Sequence, residues 1–221
     1  MIVGVQWVRV GGARVLCWSA ESQPSEEQLL LGVSAGTRIA AESLAHGLRR
    51  RELLASRYLS IHCTGMEPVS GNFGEPQWDD ATIGSISHKQ GHVALWTGAA
   101  AGGECGIDLE LCRRLSEGVV DKVADESEQK LSHGLSFNGA LLFSAKESIY
   151  KALFPVVRKK FWFDAVRLTD LCSNGDEAVL DFRLTTDLSS LAPEGLHLRA
   201  HASRIELDQS QYWLTCVRRA N

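Results

Sequence analysis

Two long stretches of helical periodicity, each bracketed by strand-like segments, constrain the fold of this chain more than any other feature. Residues 24–63 place apolar side chains at three- and four-residue spacing, and a second such stretch runs up to Phe154. Strands, helix and strands therefore follow one another twice, which favours two similar α+β halves over a doubly wound parallel sheet. We predict an α+β fold with an N-terminal half over residues 1–102 and a C-terminal half over residues 103–221, joined in one compact unit.

Short apolar segments between turn residues predict the strands. The Gly-rich stretch "TGAAAGGEC" marks the middle of the chain, and "TGMEPVSGNFGEPQWDDATIGS" has the composition of a surface loop. The predicted strands are "MIVGVQWVRV", "ARVLCWSA", "HVALW", "GIDLEL", "FWFDAVRL", "AVLDFRL", "HLRAHAS" and "YWLTCV".

Composition excludes several function classes. The chain has 221 residues, 44% of them hydrophobic, and a formal net charge of -4, so it can bury a core but has no basic field for nucleic acid. No segment approaches the roughly 20 apolar residues of a membrane span, and the N-terminus lacks the pattern of a signal peptide. The six cysteines form no CxxC pair and predict reduced, mostly buried thiols. We expect a monomeric cytoplasmic protein.

The segment "GIDLEL" places two carboxylates on one face of a predicted strand. Side chains alternate along a strand, so Asp108 and Glu110 point to the same side, about 7 Å apart at their Cα atoms. Two such groups repel each other unless the face meets solvent or a cation. The pattern leaves two interpretations open: a solvated edge strand, or half of a magnesium site, since Mg²⁺ is held by one or two protein carboxylates together with substrate phosphates.

The segment "FSAKESIYKALFP" places Glu147 and Lys151 four residues apart on a predicted helix. At about 100° per residue they share a polar side with Ser144, opposite an apolar stripe. The stripe consists of Leu142, Ala145, Ile149, Ala152 and Leu153. An isolated pair of this kind stabilises a helix by only about 0.3 to 0.5 kcal/mol. Beside Asp108 and Glu110, the same pair would complete a metal site with a third carboxylate and a lysine for phosphate oxygens.

Four motifs, in order, resemble those of a known enzyme family. "GIDLE" followed by "FSAKESIYKALFP" is similar to the paired signature of the 4'-phosphopantetheinyl transferases of the surfactin-activator class, in the branch of enterobactin synthase component D. Upstream, "RRRELLASR" resembles the Arg-rich helix of that branch, "GEPQW" its Gly-x-Pro-x-Trp turn, and "GSISHKQGHVAL" its Ser-x-Ser-His strand. The resemblance covers roughly residues 49–155.

The resemblance implies two pseudo-symmetric halves with coenzyme A and magnesium in the cleft between them. It also implies a reaction: transfer of the 4'-phosphopantetheine arm of coenzyme A to a serine of an apo acyl or peptidyl carrier protein, with release of adenosine 3',5'-bisphosphate. The branch points to carriers of siderophore synthetases, other non-ribosomal peptide synthetases or polyketide synthases. A surface for the carrier is expected in the loop before Ser85 or in residues 112–140.

Matching positions assign the family's roles to individual residues. Asp108, Glu110 and Glu147 match the metal carboxylates. Asp108 also counts among the coenzyme A contacts, and Glu147 is a candidate base for the carrier serine. Lys151 matches the lysine that stabilises charge on the pyrophosphate, so Glu147 and Lys151 form the expected catalytic pair. For Lys146 two interpretations stay open: a contact with phosphate, as in the family pattern, or a surface lysine whose aliphatic stem packs on the protein while its ammonium group faces water.

The resemblance further implies a site for the 3'-phosphate and the adenine of coenzyme A. Ser87 and His88 match the residues that hold the 3'-phosphate, and Lys89 stands beside them. The turn whose backbone meets the adenine consists of Gly74, Glu75 and Pro76.

Arginines of the upstream helix complete this predicted site. Arg50 and Arg57 are seven residues apart and so lie nearly on one face, which also carries His46. Because guanidinium forks suit phosphate oxygens, we expect both arginines to bind phosphate, and we leave the role of Arg49 open.

Two other function classes stay open at this point. A degenerate family member could bind coenzyme A as a scaffold beside a synthetase without reacting, although such a protein would be expected to lose a metal carboxylate or the lysine. The same acidic triad could serve a metal-dependent hydrolase of phosphate esters, although no further His or Asp cluster in the sequence supports that reading.

Overall fold

The computed structural model describes residues 2–44, 47–131 and 139–219. In these ranges the strands are β1 (Val5–Val10), β2 (Ala13–Trp18), β3 (Val69–Ser70), β4 (Pro76–Gln77), β5 (Thr82–Lys89), β6 (His92–Ala99), β7 (Glu104–Leu111), β8 (Val166–Asn174), β9 (Glu177–Leu184), β10 (His197–Leu207) and β11 (Ser210–Arg219). The α-helices are α1 (Glu26–Leu31), α2 (Ala35–Ser43), α3 (Leu48–Thr64), α4 (Glu117–Val123), α5 (Glu126–Leu131) and α6 (Ala140–Val157). None of these helices has both the length and the apolar character needed to cross a membrane.

Two antiparallel sheets carry the fold. The first has four strands in the order β1-β2-β6-β5, and the second has five in the order β7-β11-β10-β9-β8. A separate two-stranded ribbon pairs β3 with β4. The α+β class predicted from the sequence is confirmed.

Each sheet is covered by one long helix, and a third apolar core joins the sheets. The α3 helix packs on the first sheet in a buried cluster that includes Trp18 and Leu54. The α6 helix packs on the second sheet around Ile149. Between the sheets, Val15 from β2 and Ile107 from β7 belong to a single buried cluster. The two halves are therefore held together by a continuous apolar interior.

Two stretches differ from the predicted elements. The first helical stretch is divided into α1, α2 and α3, because Ser25 caps α1 in a capping box with Gln28 and Ser34 caps α2. The predicted strand "FWFDAVRL" begins only at Val166, because Phe163–Ala165 form a short 3-10 helix. The six cysteines are free thiols, as predicted, but only three of them are buried, whereas one is half-buried and two are exposed, so the prediction that most are buried is wrong.

Gly106 allows α6 to lie directly on β7. A Cβ atom at this position would overlap the carbonyl oxygen of Ser148 and lie 2.5 Å from the backbone nitrogen of Ala152. A packed helix backbone cannot yield to such an overlap without straining its own hydrogen bonds. The glycine of "GIDLEL" thus sets the distance between α6 and the strand that carries Asp108 and Glu110.

We predict that Gly106→Ala destabilises the protein by about 1 to 3 kcal/mol or more, because the added methyl group overpacks the interface between α6 and β7. The measurement is urea unfolding followed by circular dichroism. Gly118→Ala on α4 is the matched control, since nothing lies within 4 Å of a Cβ atom there; it should raise stability by about 0.5 to 1 kcal/mol through helix propensity. Equal unfolding midpoints for the two variants would contradict the close approach.

Candidate active site

The two halves meet where β5 lies beside β7. These strands belong to different sheets, and β7 donates backbone N–H groups to side chains of β5: Ile107 to Oγ of Ser85 and Leu109 to Oγ of Ser87, both at 3.0 Å. Both serines are buried. Because side chains alternate along a strand, the "SIS" spacing puts both hydroxyls on the same side of β5. The contact between β5 and β7, which we call the seam, is therefore held by two serine hydroxyls that accept backbone N–H groups.

Asp108 and Glu110 lie on the face of β7 that α6 covers. Their relative exposures are 6% and 4%, so the interpretation as a solvated edge strand is wrong. Oγ of Ser87 donates to Oδ1 of Asp108 at 2.8 Å, and Nζ of Lys151 donates to the same oxygen at 2.8 Å. Nζ of Lys89 donates to Oε2 of Glu110 at 2.7 Å. Three elements thus bring two carboxylates and two ammonium groups together.

Glu147 projects from α6 one turn before Lys151. Burial raises the pKa of its carboxyl, the charge of Lys151 acts in the opposite direction, and the nearby charges of Asp108 and Glu110 raise the pKa further. A glutamate with a raised pKa is a better proton acceptor than an ordinary one. The structure therefore brings the predicted third carboxylate within electrostatic reach of the other two.

An open cavity of about 270 Å³ lies beside Glu147. It is lined by Lys146, Glu147, Tyr150, Lys160, Phe161, Trp162, Phe163 and Val166. The rings of Tyr150 and Phe161 pack with centroids 4.9 Å apart, and Trp162 is 78% exposed. This largely aromatic wall offers an apolar approach to the Glu147 carboxylate.

The two strand carboxylates have oxygen atoms that suit a divalent ion. Oδ2 of Asp108 and Oε1 of Glu110 are buried and have no hydrogen-bond partner in the described part of the chain. As placed, no three His, Cys, Asp or Glu side chains within the described ranges converge closely enough to hold a metal ion. The donor chemistry nevertheless fits magnesium, because this hard cation takes few protein carboxylates and keeps waters and substrate phosphates as its other ligands.

One member of the predicted polar face of α6 lies elsewhere. Ser144 is fully buried, with its hydroxyl 2.9 Å from Oγ1 of Thr215 on β11, and the hydroxyl of Ser148 contacts the same atom. These small side chains let α6 approach the sheet while their hydroxyls satisfy one another. The polar face toward the carboxylates is therefore carried by Glu147 and Lys151 without Ser144.

His88 lies at the end of β5, between α3 and solvent. Oε2 of Glu52, a buried residue of α3, is 2.9 Å from Nδ1 of the ring. Nη1 of Arg49 contacts Nε2, and the Arg49 side chain is 61% exposed. The arginine whose role the sequence left open is thus the one that lies beside His88.

Arg50 was predicted to bind phosphate, and its position contradicts that prediction. Its guanidinium is buried, with Nε donating to Glu26 of α1 at 2.8 Å and Nη1 donating to the carbonyl oxygen of Ala41 at 3.5 Å. Helices α1 and α2 lie on this side of α3 and supply an anion and a carbonyl group. The prediction for Arg50 used only the helical wheel of α3, and these partners belong to other helices.

Arg57 is buried, and one of its nitrogens has no hydrogen-bond partner among the described residues. Nη2 donates to Oγ of Ser70 at 3.2 Å, while Nε is buried without a hydrogen-bond partner among the described residues. Burial lowers the pKa of the guanidinium, Glu67 opposes that effect, and the charge of Arg49 adds to it. A bound anion would therefore stabilise this group, as expected of a phosphate ligand. His46 lies outside the described residues.

The turn around Gly74, Glu75 and Pro76 joins β3 to β4. Gly74 has a φ of 84°, a left-handed conformation that favours glycine. The Glu75 carboxylate accepts the backbone N–H of Phe73 at 2.9 Å and is thus used within its own turn. The ring of Phe73 packs edge-on against Phe154 of α6, with centroids 5.6 Å apart. The backbone of the turn, rather than the Glu75 side chain, stays the predicted contact with coenzyme A.

Lys146 was predicted to reach phosphate, and this prediction is wrong. Its side chain is 2% exposed, and Nζ lies 2.8 Å from Oε1 of Glu128. The same nitrogen donates to the carbonyl oxygens of Val123 at 2.7 Å and Phe163 at 3.2 Å. All three ammonium protons are therefore used by buried acceptors in the second half.

Sequence reasoning misplaced Lys89 and missed Ser85 and Glu52. Lys89 was predicted beside the 3'-phosphate, but alternation along β5 turns it away from His88 and onto Glu110. The two-residue spacing of Ser85 from Ser87 was a signal that both hydroxyls share a face. For Glu52, the signal was a single acid within an Arg-rich helix, three residues after Arg49.

Comparison with protein families matches the second half of the chain. A family model described as the 4'-phosphopantetheinyl transferase superfamily matches residues 104–215, just over half of the chain. The matched range contains β7 and α6, and so all three candidate metal carboxylates.

Two of the three curated relatives described here are named as 4'-phosphopantetheinyl transferases, and the third is named as a component of enterobactin synthase. The chain is 37% identical over 107 residues to 4'-phosphopantetheinyl transferase Svp of Streptomyces mobaraensis, covering 45% of this chain and 44% of that protein. It is 30% identical over 133 residues to 4'-phosphopantetheinyl transferase PptT of Mycobacterium tuberculosis, covering 55% and 58%. It is 31% identical over 134 residues to enterobactin synthase component D of Salmonella typhi, covering 56% of each. The chain spans about half the length of the curated relatives it matches.

We predict that Lys146→Met lowers the free energy of unfolding by about 3 to 5 kcal/mol, because it removes one partner of a buried ion pair, the ammonium group that lies 2.8 Å from Oε1 of Glu128. Lys130→Met is the matched control, since Lys130 pairs with Glu126 at 3.9 Å on the surface; it should change stability by less than about 1 kcal/mol. Urea unfolding measures both variants. A Lys146→Met protein of ordinary stability with selectively weakened coenzyme A binding would restore the phosphate role.

Proposed function

Because the chain belongs to the 4'-phosphopantetheinyl transferase superfamily, we propose that it transfers the 4'-phosphopantetheine arm of coenzyme A to a serine of an apo carrier protein. The products would be a holo carrier protein and adenosine 3',5'-bisphosphate. One observation carries the proposal: Asp108, Glu110, Lys151 and Ser87 converge at the seam between the two sheets, with Glu147 beside them. The sequence and the fold would thus place a diphosphate site across the two halves.

In the proposed reaction, one group of this chain acts on the attacking serine and another acts on the leaving bisphosphate. The serine oxygen of the carrier forms a bond to the β-phosphorus of coenzyme A, and the bond from that phosphorus to the bridging oxygen breaks. Glu147 accepts the serine proton, directly or through a water. Lys151 offers a fixed positive charge to the negative charge that develops on the leaving bisphosphate.

Asp108, Glu110 and Glu147 are the residues that would hold magnesium. When bound, the ion would supply charge neutralisation of the pyrophosphate oxygens as a Lewis acid. Lys89 and Lys151 already face these carboxylates, and the ion would therefore join a cluster in which positive charge offsets acidic groups. Lys151, whose Nζ lies 2.8 Å from Oδ1 of Asp108, would offer its positive charge to the same phosphate oxygens.

The distal contacts of coenzyme A would lie in the first half. His88, Arg49 and Arg57 would hold the 3'-phosphate, and the turn at Gly74 would meet the adenine through its backbone. Because the Arg50 guanidinium is committed to Glu26, the proposal replaces it with Arg49. The aromatic cavity beside Glu147 would receive the pantetheine arm and the approaching carrier serine.

The partner would be an acyl or peptidyl carrier domain. One relative is named for enterobactin synthase, so we propose a peptidyl carrier of a siderophore-type synthetase as the first substrate to test. The candidate docking segment at residues 112–140 lies partly outside the described residues, and the loop before Ser85 stays the other candidate. The proposal includes a monomer working in the cytoplasm, where its free cysteines would stay reduced.

The decisive experiment incubates the protein with coenzyme A, magnesium and a panel of apo acyl and peptidyl carriers, and then weighs each carrier by mass spectrometry. We predict that at least one carrier gains the mass of the phosphopantetheine arm. Lys151→Ala should lose about 10² to 10³ in rate, the scale of removing one preorganised charge-stabilising donor. Lys130→Ala, an exposed lysine of α5, should transfer at the normal rate.

Two results would contradict the proposal. A folded protein that binds coenzyme A but modifies no carrier would favour the alternative of a coenzyme A-binding scaffold. Release of inorganic phosphate from phosphate esters, without carrier modification, would favour the metal-dependent hydrolase. If Lys151→Ala transfers normally, the lysine forms only a structural pair with Asp108.

A further inference from the structure

Glu52 is a buried carboxylate that the proposed chemistry leaves unused. It lies on α3 with 6% relative exposure and has no place among the metal ligands or the phosphate contacts. Glutamates are almost never this buried unless they are paired. The groups that pair with the Glu52 carboxylate therefore indicate its role.

Both oxygens of Glu52 are engaged by the β5–β6 hairpin. Oε1 accepts the backbone N–H of Gly91 at 3.1 Å, and Oε2 lies 2.9 Å from Nδ1 of His88. Burial by itself would raise the pKa of this carboxyl, but the hydrogen bond and charge of His88, the Gly91 N–H and the charge of Arg49 together outweigh burial and lower the pKa. Glu52 is thus an ionised acceptor at neutral pH.

Of these two contacts of Glu52, one holds the hairpin turn and the other holds the His88 ring at Nδ1. The hairpin turn is rigidly defined, since Gln90 and Gly91 have φ values of 51° and 85° in the left-handed region. Nη1 of the exposed Arg49 side chain contacts the other ring nitrogen, Nε2, and also lies 3.2 Å from Nδ1. Rotation of the ring about its χ angles would break the contact with Glu52.

We propose that Glu52 is the positioning residue of the 3'-phosphate site: it accepts the Nδ1–H of His88 and thereby directs Nε2 toward the same anion that Arg49 binds. A histidine that donates from both ring nitrogens bridges two anions, here a protein carboxylate and a phosphate. This inference rests on the proposed function, in which coenzyme A is the substrate. It assigns to Glu52 a role in selecting coenzyme A over cofactors that lack the 3'-phosphate.

The test is calorimetric binding of coenzyme A and of 3'-dephospho-coenzyme A, without any carrier. The quantity of interest is the ratio of the two dissociation constants, because general damage to the fold weakens both ligands alike. His88→Ala should lower the preference for coenzyme A by a factor of about 10 to 150, the value of one charge-assisted hydrogen bond. Glu52→Gln should lower it by about 2- to 10-fold, since the amide keeps one of the two acceptor contacts.

Two controls distinguish an effect of Glu52 on the orientation of the His88 ring from an effect on the stability of the turn at Gly91. In a His88→Ala background, Glu52→Gln should change the ratio far less than it does when His88 is present, because only its weaker 3.9 Å contact with Arg49 is left to act on the site. Gln23→Met loosens the same turn, since Nε2 of Gln23 donates to the carbonyl oxygen of Gly91 at 2.7 Å, but it does not touch His88. It should lower stability and leave the ratio unchanged.

The inference is overturned if Glu52→Gln keeps the ratio of the unaltered protein, or if Gln23→Met lowers that ratio as much as Glu52→Gln does. It is also overturned if the unaltered protein does not prefer coenzyme A over the dephospho form. Glu52→Asp, which keeps the charge on a shorter arm, gives a second measurement and should likewise reduce the ratio. A protein that shows the predicted ratios but modifies no carrier would disprove the proposed function and leave this inference standing.

Discussion

The contact between β5 and β7 is the constraint on which the candidate site depends. Backbone N–H groups of Ile107 and Leu109 end on the hydroxyls of Ser85 and Ser87, so the edge of one sheet is satisfied by side chains of the other. Buried N–H groups are costly to leave unpaired, and these bonds therefore fix the register between the halves. The Ser87 hydroxyl in turn donates to Asp108. The same bond that joins the halves thus orients a candidate metal ligand.

The candidate site holds buried charges whose removal from water is unfavourable. Asp108 and Glu110 are buried, and each is offset by a lysine from a different element, Lys151 from α6 and Lys89 from β5. Removing such charges from water costs several kcal/mol per ion unless partners are well placed. The close approach of α6, which Gly106 permits, is what places Lys151 within reach. Burying these charges therefore costs stability at the candidate site, and the paired lysines offset part of that cost.

Local periodicity explains what could be predicted from the sequence. Strand alternation put Asp108 and Glu110 on one face, and the order of strands and helices gave the α+β class, because both are properties of neighbouring residues. Partners from distant elements were not predictable in this way. Arg50 is drawn to α1 and α2, Lys146 is buried on Glu128, and neither partner belongs to the helix that carries the cation. Such pairings depend on tertiary packing, which the helical wheel of one segment does not contain.

The most direct test of this account is a crystal structure with coenzyme A and Mn²⁺, in which anomalous scattering locates the ion. We expect the ion to contact Asp108, Glu110 and Glu147 at the seam, with the pyrophosphate beside Lys151 and the 3'-phosphate on His88. An ion bound away from the β7 carboxylates, or coenzyme A bound outside the space between the two sheets, would contradict the claim that the seam builds the active site.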